Sequence, residues 1–61
     1  MTKRDFRRTF VGRHLDELIA AASKNGYGCS FVFGDEKIKS GGRKELVACV
    51  RGKDNIVTKI C

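Results

Sequence analysis

The sequence lacks proline and any long hydrophobic run, and each absence excludes a class of organisation. Without proline there is no Pro-rich linker, and 61 residues suffice for one domain, so we treat residues 1–61 as a single domain. No apolar run approaches the roughly 20 residues that span a bilayer. The N-terminal stretch MTKRDFRRTF is too polar for the apolar region of a secretory signal. We therefore expect a cytoplasmic protein with no membrane contact.

The number of cysteines argues against a disulfide framework, and the spacing of cysteine and histidine argues against a zinc site. The three cysteines are an odd number, whereas small secreted scaffolds carry even sets. Cys29, Cys49 and Cys61 could complete a zinc shell with His14, but structural zinc sites draw ligand pairs from positions two to four residues apart. The sequence has no such pair. We expect reduced thiols, no metal and no cofactor, and burial of Cys29 on an apolar strand would raise the pKa of its thiol.

Catalytic side chains are equally scarce. His14 is the only histidine, and Asp16, two positions on, would face another direction on a helix. The stretch GDEKIKSGG lacks the spacing and the terminal Lys–Ser/Thr pair of a phosphate-binding loop. No family motif is matched residue by residue. We predict that the chain is not an enzyme and has no catalytic residues.

Positive charge is what the chain has in excess. Thirteen Lys and Arg against seven Asp and Glu give a net charge of +6. Residues 1–13 carry +4 and residues 35–44 carry +2, so the rest of the chain is neutral in sum. Basic clusters of this kind favour polyanionic partners, although they also serve solubility.

The spacing of apolar residues between positions 9 and 26 predicts one amphipathic helix. Its apolar side would consist of Phe10, Val11, Leu15, Leu18, Ile19 and Ala22. Thr9 would be the N-cap, or Asp5 if the helix begins a turn earlier. Gly12 would weaken the helix interior, and Gly26 would end the helix in a left-handed conformation. The residues before this helix, 1–8, form a basic arm that is either flexible or the first helical turns.

After Gly28 the period changes to two, which predicts three strands in CSFVF, ELVACVR and NIVTKIC. The stretch RGKDN between the second and third strands has the turn residues and length of a hairpin. Sequential strands usually pair with their neighbours. The predicted fold class is therefore α+β, with one N-terminal amphipathic helix packed on a three-stranded antiparallel β-meander (α-β-β-β).

We expect the helix to cover one face of this sheet and to leave the other open. The covered face would consist of Phe31, Phe33, Leu46, Val50, Ile56 and Ile60. The open face would carry an apolar strip of Val32, Val47, Cys49 and Val57. Such a strip bordered by cations indicates either a protein-binding surface, such as a homodimer interface, or only the β-propensity of valine.

The first functional hypothesis depends on two basic clusters, one in KRDFRR and one in KIKSGGRK. The second cluster would form a hairpin arm with a flexible Gly-Gly tip that lies along a phosphate backbone. Phe6, between the arginines of the first cluster, would either stack on a base or anchor the helix. The predicted phosphate contacts are Lys3, Arg4, Arg7, Arg8, Lys37, Lys39, Arg43, Lys44, Arg51 and Lys53. The chain would then be a small non-catalytic module that binds DNA or RNA mainly through the backbone.

The alternative is a small protein-binding regulator or inhibitor of the kind common among phage and mobile-element products. It would dock on a larger cellular machine through the exposed sheet face or a free sheet edge. Its partner could itself be acidic or associated with nucleic acid, so net charge alone does not separate the two hypotheses. A redox or metal-dependent module built on the cysteines is a third possibility, which we do not favour.

Overall fold

The computed structural model describes all residues, 1–61, and contains two helices and one three-stranded sheet. The elements are α1 (Lys3–Phe10), α2 (Leu15–Lys24), β1 (Gly28–Phe33), β2 (Glu45–Arg51) and β3 (Ile56–Ile60). The α+β class is therefore confirmed. Neither helix combines the length and the apolar character needed to cross a membrane.

Helix α1 begins at the very start of the chain because Thr2 and Asp5 form a capping box. The Thr2 hydroxyl accepts from the Asp5 backbone N–H at 3.2 Å, and the Asp5 carboxylate accepts from the Thr2 N–H at 2.9 Å. The hydrogen bond from the Thr2 backbone, followed by that from its hydroxyl, lowers the pKa of Asp5. The predicted N-caps, Thr9 and Asp5, are wrong, and the basic arm forms helical turns from Lys3 onward.

The single predicted helix is wrong because the chain leaves helical geometry after Phe10. Gly12 adopts φ +93°, and the linker between the helices pairs with the start of β3 instead. The Gly12 N–H donates to the Val57 carbonyl at 2.7 Å, and the Val57 N–H donates to the Arg13 carbonyl at 2.8 Å. Left-handed backbone costs glycine nothing, so Gly12 permits this turn.

Both ends of α2 are closed by local hydrogen bonds. His14 is its N-cap rather than a mid-helix residue, and its Nδ1 accepts from the Asp16 backbone N–H at 3.1 Å. At the other end Gly26 has φ +73°, as predicted. The Tyr27 N–H donates to the Ala22 carbonyl at 2.8 Å, which completes a Schellman motif.

The sheet has the order β1-β2-β3 and is mixed, so the predicted antiparallel meander is wrong. Strands β2 and β3 are antiparallel and joined by the predicted hairpin turn, but β1 and β2 are parallel. A parallel pair requires a crossover connection. Residues 34–44 make this connection without a helix, and we call them the crossover segment.

A β-bulge in β3 corrects the predicted faces of the sheet. Cys49 pairs with Lys59 and Val50 with Val57, so Thr58 is an extra residue in β3. A bulge reverses the alternation of side chains beyond it. Both Val57 and Ile60 therefore belong to the core, although they are three positions apart. The core cluster consists of Phe6, Leu15, Leu18, Ala22, Leu46, Ala48, Val50, Val57 and Ile60.

Two predicted core residues lie at the surface. Phe31 is 42% exposed and Phe33 is 56% exposed, and Ile56 is only half-buried. Helix α1 packs mainly near β3 and α2 near the start of β1, where Cys29 and Tyr27 contact the core. The second half of the edge strand β1 is consequently left without a covering helix.

Candidate nucleic-acid interface

The crossover segment covers the face of the sheet that was expected to be open. The Cys49 thiol donates to the Glu36 carbonyl at 3.4 Å, and the Cys61 thiol lies 3.9 Å from the Ile38 carbonyl oxygen. Gly41 lies against Val47, since a Cβ built on it would be 3.5 Å from a Val47 methyl carbon. The segment is thus laid across the sheet and is not the projecting hairpin arm that the sequence predicted.

The predicted apolar strip does not form an open surface as a result. Cys49 is fully buried beneath the crossover segment, and Val57 is fully buried in the core beneath the helices. Val32 and Val47 are half-buried. These four residues therefore do not make the expected protein-binding or homodimer face.

The cations of the crossover segment point away from the sheet. Ile38 is half-buried, whereas Lys37 and Lys39 on either side of it are exposed. Arg43 and Lys44, just before β2, are also exposed. An extended chain alternates its side chains in this way, so the half-buried isoleucine faces the sheet and the lysines face solvent.

The two basic clusters meet at Lys3. Its ammonium group donates to the Ser40 hydroxyl at 3.1 Å and to the Gly41 carbonyl at 3.4 Å. This contact joins positions 37 and 38 residues apart in sequence. An ammonium group has three donors, so one N–H of Lys3 remains for a ligand.

A second contact at the same end of the sheet positions Lys44. Its ammonium nitrogen lies 4.6 Å from the centroid of the Tyr27 ring, which is a cation–π distance. The Tyr27 hydroxyl donates to the Met1 carbonyl at 2.8 Å, and its ring packs edge-on to Phe6 at 4.9 Å. The first residues of α1 and the first residues of β1 are tied together by these contacts.

The basic side chains of α1 lie on two different sides of the helix. Phe6 is fully buried, so it anchors the helix and is not available to stack on a base. Lys3 and Arg7 are one turn apart on the flank of the buried side, while Arg4 and Arg8 lie on the outer side. All three arginines are exposed. We define the basic junction as Lys3, Arg7, Lys39, Arg43 and Lys44.

Carboxylates leave this surface largely unneutralised. Among the Lys and Arg side chains, only Arg13 and Arg51 form ion pairs, Arg13 with Glu17 at 3.0 Å and Arg51 with Asp54 at 2.6 Å. Glu45 follows Lys44 directly in sequence, and its carboxylate accepts from the Gly42 N–H at 3.4 Å. It therefore shapes the Gly-Gly turn without pairing with a cation.

Two of the predicted phosphate contacts lie elsewhere. Arg51 ends β2 and Lys53 lies in the hairpin turn, whereas the crossover segment enters β2 at Glu45. The two ends of this seven-residue strand are separated by about 20 Å. Arg51 is in addition held by Asp54, which raises the pKa of the guanidinium by hydrogen bonding. The structure brings eight of the ten predicted cations to α1 and the crossover segment.

The thiols and the histidine form no reactive cluster. All three cysteines are free, and no group of three or more His, Cys, Asp and Glu side chains is arranged to hold a metal ion. Burial raises the pKa of the Cys29 thiol, as predicted. His14 uses Nδ1 to cap α2.

The aromatic pair at the edge of the sheet is the feature that the sequence did not reveal. The Phe31 and Phe33 rings are 5.6 Å apart at an interplanar angle of 80°. Their alternation on an apolar strand is the same signal that a buried face gives, so period alone could not distinguish the two. The only available sign was that the sequence has too few helical residues to cover the whole of this strand.

Comparisons with known proteins give no family for this chain. No family model matches the sequence, and no curated protein or solved structure matches it significantly. Function must therefore be inferred from the side chains of the chain itself, and the basic junction is the candidate site that they define.

Proposed function

We propose that the chain is a small, non-catalytic nucleic-acid-binding module of the cytoplasm that contacts the phosphate backbone through the basic junction. The observation that carries the proposal is the contact of Lys3 with Ser40 and Gly41, which brings two separate basic clusters of the sequence onto one surface. The odd number of cysteines is typical of proteins without a disulfide framework, which is the basis for proposing a reducing compartment.

Phosphate contacts suit this surface for two reasons. Its five cations have no carboxylate within ion-pair distance, so a polyanion would not have to displace one. They are held on a helix and a fixed segment rather than on a free loop, which lowers the entropic cost of ordering them on the ligand. Backbone contacts of this type fix position and carry no sequence information, so we expect binding to DNA or RNA without strong sequence preference.

The test is fluorescence anisotropy with labelled oligonucleotides at low salt. The double variant Arg7→Gln with Lys39→Gln removes two exposed charges that no described contact uses. The control is the double variant Arg13→Gln with Lys24→Gln, which removes the same amount of charge from residues outside the junction. The junction variant should bind at least tenfold more weakly than the control variant. Equal losses would show that only net charge matters, and no binding by the native chain would refute the proposal.

A protein-binding regulator or inhibitor is the second candidate, and one observation favours it. Strand β1 has no strand partner on its outer side, and Phe31 and Phe33 are exposed on it. A free edge with apolar side chains is a surface to which an extended segment of a larger machine could add. A pulldown from nuclease-treated lysate that retains one protein, and loses it on Phe31→Ala with Phe33→Ala, would support this candidate over the first.

A further inference from the structure

We propose that Phe31 and Phe33 are a base-stacking platform and that the chain's ligand is single-stranded nucleic acid. This inference rests on the proposed function and adds to it the class of nucleic acid. It starts from an aromatic pair that the fold leaves exposed, Phe31 to 42% and Phe33 to 56%.

The two exposed phenylalanine rings and the half-buried Tyr27 ring lie in a row along the free edge of the sheet. Tyr27, Cys29, Phe31 and Phe33 alternate to the same face of the strand. Ile19 of α2 is also exposed, at 39%. It lies on the side of α2 that faces away from α1, because Asn25, on the other side of the helix, contacts Met1. The Phe31 and Phe33 rings are accessible to planar ligands at this open edge.

Cations lie at both ends of this row. Lys44 sits over Tyr27 at the end nearest the basic junction. At the other end the Phe33 ring lies close to Gly52, 3.7 Å from the place that a Cβ on Gly52 would occupy, and the next residue in the turn is the exposed Lys53. The ends are about 20 Å apart, from Tyr27 to Phe33. A strand with its phosphates at Lys44 and Lys53 would pass over the two phenylalanine rings.

The size and charge of the platform favour bases over a protein surface. The exposed parts of two phenylalanine side chains amount to roughly 200 Å², since a whole aromatic side chain offers 150–250 Å². A stable protein interface needs about 800 Å² on each partner. A second copy would bring two chains of charge +6 together. Stacked bases need only a ring face, and their phosphates complement the positive charge.

Duplex nucleic acid cannot use the platform because its bases are stacked on one another. Single strands can splay bases onto aromatic side chains. The platform therefore predicts a preference that the basic junction alone would not produce. The junction should bind single strands, duplexes and heparin alike, and the platform should add affinity for single strands only.

The test compares three probes on two double variants. The probes are a 12-mer of oligothymidylate (a length of about one binding site), a duplex of equal length and heparin. Phe31→Ala with Phe33→Ala should lose about tenfold or more in affinity for the single strand, with no change for the duplex or heparin. Arg7→Gln with Lys39→Gln should weaken binding to all three.

The possible results separate the inference from the proposed function. Unchanged single-strand affinity in the phenylalanine variant, with losses in the junction variant, would overturn the platform and leave the proposed function standing. Failure of the native chain to bind any probe would overturn both. If the native chain sediments as a dimer and the phenylalanine variant as a monomer, the rings belong to an interface with a second copy and the inference is overturned. The inference is also overturned if the native chain captures a protein from nuclease-treated lysate and the phenylalanine variant does not.

Two further variants guard against unfolding of the alanine variant. Phe33→Leu keeps apolar bulk but removes the flat ring, so it should fold and still lose single-strand affinity. Phe33→Trp introduces the only tryptophan of the chain. Its fluorescence should be quenched by oligothymidylate and not by heparin. Native affinity in Phe33→Leu, or equal quenching by both probes, would contradict base stacking.

Discussion

The two faces of the sheet are covered by different kinds of chain. On one face two helices contribute Phe6, Leu15, Leu18 and Ala22 to a continuous apolar cluster. On the other face the crossover segment lies in an extended form, held by one short thiol hydrogen bond, the half-buried Ile38 and the packing of Gly41.

This difference separates stability from recognition. The helical face buries whole apolar side chains, each of which contributes about 1.5–3 kcal/mol. The crossover face buries little, yet it presents Lys37, Lys39 and Arg43 to solvent. Substitutions of the buried residues on the helical face should therefore change folding first, whereas substitutions of exposed cations should change binding first.

Phe6→Ala should have the largest effect on stability. Phe6 is fully buried between Phe10 and Tyr27, with ring centroids 5.9 and 4.9 Å away. Truncation of a buried phenylalanine costs about 3–5 kcal/mol, which is much of the stability of a domain this small. Urea denaturation followed by circular dichroism measures the loss. Phe33→Ala is the control, with an expected change below about 1 kcal/mol, and equal losses would contradict the assigned core.

Gly41→Ala should destabilise the fold because a methyl group there crowds Glu45, close to the point where the crossover segment enters β2. A Cβ on Gly41 would lie 3.0 Å from Glu45 Cβ and from its carboxylate, so Glu45 or the segment would have to shift by a few tenths of an ångström. Such overpacking costs about 1–3 kcal/mol. Gly42→Ala is the matched control because its nearest contact would be 3.6 Å, an ordinary distance. If thermal melting shows Gly42→Ala to be the more damaging variant, the segment does not pack as described.

His14→Ala should cost about 1 kcal/mol because α2 loses its N-cap. The imidazole accepts from the Asp16 N–H, and Glu17 completes the capping box through the His14 N–H at 3.4 Å. His14→Asn should retain native stability, since asparagine is among the preferred N-caps. The stabilities of the two variants are compared by their denaturant midpoints. A loss in His14→Asn as large as in His14→Ala would show that the imidazole acts in another way.

Acid should destabilise the fold slightly through three exposed carboxylates. The pKa values of Asp5, Glu17 and Asp54 are lowered, first by hydrogen bonds from the Thr2 backbone, Arg13 and Arg51 respectively. A lowered folded pKa means that folding favours the ionised form. Its stabilisation is complete above the unfolded pKa, near 4, and is lost as the pH falls through the lower folded value.

The acid effect is measured as the urea midpoint between about pH 6 and about pH 2. Asp5→Asn should flatten part of the decline, because the folded and unfolded states then differ in one titration fewer. A midpoint in the native chain that rises on acidification would contradict the assigned hydrogen bonds.

Local features of the fold were predictable from the sequence, and pairings between distant segments were not. The end of α2 at Gly26 and the hairpin turn at 52–55 depend on residues within one turn of each other. The break at Gly12 was missed because the linker's hydrogen bonds go to Val57, far along the chain. Histidine is also not among the common N-caps, so His14 gave no recognisable start signal.

Strand direction and face were missed for the same reason. The connection between β1 and β2 has 11 residues, 34–44, which is longer than hairpin loops usually are and was the available sign of a crossover. The bulge at Thr58 moved Val57 into the core, and alternation in NIVTKIC could not show it. The cations of the candidate site were nevertheless predictable, because exposed charge depends little on strand direction.

The salt dependence of binding tests the central claim most directly. If the basic junction and its neighbours neutralise about six phosphates, a plot of log affinity against log salt should have a slope near −5 for duplex DNA and near −4 for a single strand. Removal of Arg7 and Lys39 should reduce the slope by about two, while the Arg13→Gln with Lys24→Gln control should retain it. A slope near zero, or the same reduction in both variants, would contradict the account.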